Sequence, residues 1–240
     1  MGYKNTQFGY AYGMNFLSHA VPFLDEPMMA AATGIPDWLS MVDRRIRARA
    51  RAAEPFLQSD DRTLRLVARG VVQHVEDDRW FHATRAFAEL NLQLAVELRD
   101  RLPGDAGFRP TFVAHILIEM LLDSFWIRDD SSLCDRYYAA VEVVASKDVQ
   151  RCVDIITGKS TDGLVAVIER FIKIQFLYDY RDHETLLFRV NQVLQRVRLP
   201  PLPQAIQDWL PQAEKLVESR RGELLSSPNE TQRYPFLPPA

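Results

Sequence analysis

Residues Phe112 to Ile127 read FVAHILIEMLLDSFWI, an apolar run interrupted by His115, Glu119 and Asp123, each four positions apart. A four-residue step advances about 40° around an α-helix, so the three side chains share about 80° of circumference and form one polar stripe. Leu117, Ile118, Leu121, Leu122 and Phe125 surround the stripe, which places it inward. Carboxylates in such a place need a cation or dense hydrogen bonding. A bound divalent metal would supply the cation.

The pattern returns upstream in QHVEDDRWFHATRAFAEL, residues 73–90, where His74, Asp78 and His82 are again four apart. His-x-x-x-Asp sets two ligands one turn apart on one helix face, a spacing that lets a single helix grip one ion. Glu76 and Asp77 make the region acidic in general. The repetition on a second helix is the stronger signal, because four of the five histidines lie in these stripes or at His19. Pro103, Gly104, Gly107 and Pro110 break the chain between the stripes, so they belong to separate helices.

Further upstream, MNFLSHAVPFLDEPMMAAATGIPDWL (14–39) sets His19 among apolar residues and brings Asp37 just after Gly34 and Pro36. Both can point into a site, and Asp37 also suits the cap of a helix beginning near Trp38. The periodicity predicts a helix from Trp38 to Phe56 whose Arg44, Arg45, Arg47, Arg49 and Arg51 form a solvated face. Ser59, Asp60 and Asp61 signal the next helix start. Downstream, RDDSSLCDRYYAAVEVVA continues helical, Leu164 to Tyr180 is amphipathic, and helices follow over Glu184–Val197 and Gln204–Leu225. Gly158-Lys159-Ser160 is no nucleotide loop, since its first glycine would stand at Val153. No alternating strand pattern appears. The expected fold is all-α, a single-domain multi-helix bundle over 14–225 with a metal site between helices, an N-terminal extension at 1–13 and a flexible tail at 226–240.

A net charge of −3 over 240 residues gives no reason to expect a nucleic-acid partner, and no uninterrupted apolar run reaches the roughly 20 residues of a membrane span. Cys134 and Cys152 form no disulfide framework, and the first residues lack a basic start and apolar core, so a cytoplasmic location is expected.

In order and approximate spacing, Met14-Asn15-Phe16-Leu17-Ser18-His19, the turn ending in Asp37, Gly70 before His74-x-x-x-Asp78, and Glu119-x-x-x-Asp123-x-Phe125 resemble the acyl carrier protein phosphodiesterases. The resemblance covers residues 14–127. It implies an HD-like helical fold and manganese-dependent hydrolysis of the phosphodiester that joins phosphopantetheine to its carrier, with holo acyl carrier protein as partner. Val75 and Glu76 stand where the family carries two arginines, His82 replaces an aspartate, Ser124 replaces a histidine, and His115 is an addition. No His-Asp dipeptide occurs, which excludes an ordinary HD domain. More loosely, the order His19, Asp37, His74, Asp78, His82, His115, Glu119 is similar to the ligand order of zinc-dependent phospholipase C and P1-type nucleases.

These readings converge on a metal-dependent phosphoester hydrolase. His74, Asp78, His115 and Glu119 form its expected metal shell, completed by Asp37, with His19, His82 and Asp123 as further candidates, and mixed nitrogen and oxygen ligands suit manganese, iron or zinc. Asp123 or Asp77 would take a proton from water, and Arg79 and Arg85 would clamp phosphate. The rival from another class is a non-catalytic helical interaction protein that keeps the stripes as a polar network or a structural metal site.

Overall fold

The computed structural model describes residues 15–104 and 107–226, and every regular element among them is helical. The expected extension at 1–13 and, apart from Ser226, the tail at 226–240 lie outside the described residues. In chain order the α-helices are α1 (Phe16–Ala20), α2 (Pro27–Thr33), α3 (Ile35–Val42), α4 (Ala50–Ala53), α5 (Arg62–Ala83), α6 (Arg85–Arg101) and α7 (Pro110–Asp129). They continue as α8 (Leu133–Glu142), α9 (Ser146–Thr157), α10 (Leu164–Ile174), α11 (His183–Arg196), α12 (Leu210–Ser219) and α13 (Arg221–Leu224). Short 3₁₀ turns link several of them.

Two long helices carry the architecture. Asp61 opens α5 by accepting a hydrogen bond from the Leu64 amide at 3.1 Å. Thr84 both ends α5 and caps α6, with extended backbone and its hydroxyl accepting from the Phe87 amide at 3.1 Å. The resulting corner turns Phe87 back against His82, with 4.7 Å between ring centroids. Helix α7 is apolar around nearly its whole circumference and packs against α1, α6, α11 and α12. By length and composition it passes for a membrane span, a property that counting uninterrupted apolar runs does not register, but 78% of its most apolar window is buried inside the protein.

On the other side of α7's polar stripe, α5 packs tightly against α2. Gly70 makes this approach possible: a Cβ there would lie 2.3 Å from the Ala32 Cβ and 2.7 Å from the Ala32 carbonyl carbon. The short α1 fits between the ends of α5 and α7. Five residues are too few to hold a helix unaided. Asp123 of α7 supplies the support by accepting from the Leu17 amide at 3.1 Å, the Ser18 amide at 2.9 Å and the Ser18 hydroxyl at 2.8 Å.

Four expected helices are shorter than their periodicity suggests, among them Gln204–Leu225, which is a 3₁₀ turn over Gln204–Trp209 followed by α12 and α13. The helix from Trp38 to Phe56 stops at Val42, because Asp43 is extended and its carboxylate accepts from both the amide and the guanidinium of Arg45. Beyond it the chain runs with Ala48 and Ala50 inward and Arg47, Arg49 and Arg51 outward, so the arginines alternate rather than share a helical face. With Arg45 and Lys159 they line a shallow cleft of about 530 Å³. The amphipathic stretch from Leu164 breaks at Gln175, which takes a left-handed conformation with φ 52°. The helix expected to run on from α7 breaks at Asp130, whose extended backbone and bonds to Ser132 turn the chain.

Candidate metal centre

The two stripes face each other in opposite order. His82 of α5 meets His115 and Glu119 of α7, whereas His74 and Asp78 meet α1, the helix that Asp123 holds. The expected single shell is therefore two groups: His19, His74 and Asp78 in one, and His82, His115 and Glu119 in the other, each with ligand atoms within 4.8 Å of one another.

In the first group the His19 and His74 rings stack with centroids 4.1 Å apart. Their Nε2 atoms each lie 3.3 Å from a different oxygen of Asp78. The far nitrogens fix both tautomers. His74 Nδ1 donates to the Thr33 carbonyl at 2.8 Å, and His19 Nδ1 lies 3.1 Å from Asp77 Oδ2. A carbonyl and a carboxylate only accept, so each Nδ1 keeps its proton and each Nε2 turns its ligand position inward. His19 Nε2 is buried, and its approach to Asp78 lacks the geometry of a hydrogen bond. Burial works against a charged His19, but the adjacent Asp77 and Asp78 carboxylates outweigh it and raise its pKa well above the ordinary value, so a bound cation would have to displace the Nε2 proton. Burial would likewise raise Asp78, yet the charge on His74 and the bonds from both histidines keep it well below the carboxylate range. Two inward imidazole nitrogens, one of them the orphaned buried Nε2 of His19, and an ionised carboxylate are a donor set for a divalent cation.

Asp37, expected as a ligand or a helix cap, caps nothing: it sits in the first turn of α3, after Gly34 at the cap position. Burial pushes its carboxyl up to about 6, with the charges of His74 and His19 opposing and those of Asp78 and Glu119 adding, so it feels both groups.

The second group is more open. Glu119 Oε1 lies 2.8 Å from His115 Nε2 and 3.2 Å from His82 Nε2. The glutamate is nearly enclosed, whereas the two imidazoles are about a quarter exposed, at 23% and 26%.

Four expected roles change. Asp123 is completely buried with both oxygens engaged by α1, which makes it a support for the helix that carries His19. Asp77 is buried too, one oxygen on His19 and the other accepting from Gln73 at 2.7 Å and Trp80 at 3.4 Å, which makes it the orienter of His19. Arg79 is exposed on α5, about 100° around the helix from Asp78. Arg85 is exposed and paired with Glu89 at 2.6 Å.

Residues outside the two stripes complete the surroundings. A cavity of about 660 Å³ reaches Asp37 and Glu119 and is lined also by Asn15, Tyr180, Arg170 and Arg196, with Phe16, Phe171 and Phe176 among its apolar walls. These arginines belong to α10 and α11, both beyond the α7 stripe in the chain, and no local spacing announces them. No family model, curated protein or solved structure matches the chain.

Proposed function

We propose that this chain is a divalent-metal-dependent phosphoester hydrolase of the acyl carrier protein phosphodiesterase kind, with holo acyl carrier protein as its candidate substrate. The observation that carries the reading is the stacked His19–His74 pair, whose Nε2 atoms face Asp78 while acceptor-only groups hold both Nδ1 atoms. Manganese, iron and zinc all suit such ligands. When bound, the cation would lower the pKa of a water toward neutrality and offset charge on the phosphoryl oxygens.

The chain's own residues supply the rest. Asp37, on the cavity wall with a carboxyl near 6, is suited to accept the water's proton at Oδ. The Tyr180 hydroxyl accepts from Asn15 at 3.1 Å, which leaves its own proton to donate to a phosphoryl oxygen; burial keeps the phenol protonated. Arg170 and Arg196 take over the phosphate-binding role first assigned to Arg79 and Arg85.

Protein purified without chelators should carry one of these metals and hydrolyse bis(p-nitrophenyl) phosphate with a dependence on manganese. His74→Ala should lower kcat/KM by at least about 100-fold. Turnover and melting temperature that both ignore added manganese would sink the reading. One observation favours the rival, a non-catalytic helical interaction protein: Asp77 and Asp78 flank His19 and raise its pKa, so a protonated His19 can offset the buried carboxylates in place of an ion. In its polar-network form that protein would fold and melt identically with and without metal.

A further inference from the structure

We propose that His82, His115 and Glu119 form a second divalent-cation site, separate from the His19–His74–Asp78 group, with Glu119 on the wall of the large cavity. The inference goes beyond the hydrolase reading and stands on the geometry of the three residues alone. His115 and Glu119 are one turn apart on α7 and chelate from one helix face, while His82 arrives from the last turn of α5. Their ligand atoms lie within 4.8 Å of one another.

Both Nε2 atoms converge on the same carboxylate oxygen, Glu119 Oε1, at 2.8 and 3.2 Å. One oxygen facing two ring nitrogens, with the rings 4.6 Å apart at their centroids, is the layout of three donors around a common point. Phe87 packs edge-on against both rings, at 4.7 Å from His82 and 5.0 Å from His115, and limits their rotation. Glu119 is 6% exposed and lines the large cavity, whereas the imidazoles are partly open. Two histidines and a glutamate with an open side match the three-ligand zinc sites that keep a further coordination position free. Zinc or cobalt is accordingly the ion of choice.

The test uses the full chain, stripped with a chelator and titrated with Co²⁺ and Zn²⁺, with bound metal counted by elemental analysis. Wild type should bind two equivalents. The His82→Ala/His115→Ala double variant should bind one and lose one of two cobalt absorption components. Asp78→Ala should keep the component that the double variant loses. Because His115 is partly exposed, His115→Gln serves as a milder second variant should the double variant misfold, and it should weaken the same component at least tenfold. A double variant that still binds two equivalents, or a wild type whose only equivalent disappears with Asp78→Ala, would overturn the proposal. Two equivalents without phosphoester hydrolysis would reject the hydrolase reading and leave the second site standing.

Discussion

The His19–His74–Asp78 group and the His82–His115–Glu119 group each contain two imidazoles and one carboxylate, yet the fold builds them in different ways. In the first, α1 and α5 bring the ligands together, both rings are enclosed, and each Nδ1 is fixed by a group distant in the chain, Asp77 for His19 and the Thr33 carbonyl for His74. In the second, a one-turn pair on α7 does most of the work, and the rings rest on Glu119 and Phe87 with one side in solvent. Enclosure makes every partner in the first group matter, because an unpaired buried charge or donor is costly. Partial exposure spares the second group that cost.

The sharpest way to break this contrast is His19→Ala. It leaves Asp77 and Asp78 without their shared buried partner and should cost about 3–5 kcal/mol in urea unfolding of the metal-free protein. Since the His19 pKa is raised in the fold, its contribution is fully present below the unfolded value of about 6.5 and is lost as pH rises toward the folded one. The gap between variant and wild type should therefore narrow on going upward from pH 6. A gap that widens would mean that His19 is neutral between its two aspartates.

Gly70→Ala should come next, at about 1–3 kcal/mol, because the added methyl meets the α2 backbone while alanine is otherwise the better helix former. The shift of Thr33 away from His74 should weaken metal at the first group and leave the second group's affinity unchanged, as read by cobalt absorption. Smallest of the three, His115→Ala should cost under about 1 kcal/mol, as a partly exposed side chain does. A larger loss would show that the open group carries the fold as the enclosed one does.

The helical class and both stripes are legible in the residues, since the 3.6-residue period and the four-residue spacing of His74, Asp78, His115 and Glu119 are local properties. What spacing cannot convey is which ends of two helices meet. The opposed order of the stripes divides seven expected ligands into two groups and an outlying Asp37, and it follows from α1 wedging between α5 and α7 under the hold of Asp123, a contact 105 residues long in sequence. The contacts of Asp77 and Asp123 escape a sequence reading for the same reason: a carboxylate that orients a histidine or caps a helix has the same letter as one that accepts a proton. The break at Asp43 turned on a two-residue side-chain contact that periodicity averages away.

Helix α7 also sets a problem in time. It leaves the ribosome complete at Asp129, while α11 and α12, which cover part of it, follow only at His183–Arg196 and Leu210–Ser219. At ordinary synthesis rates the helix waits on the order of ten seconds with one of its apolar flanks uncovered. A carboxylate near the middle of such a segment disfavours entry into a bilayer by about 3 kcal/mol. Glu119, close to the middle of α7, opposes such entry by its charge alone, before it has met His82 and His115.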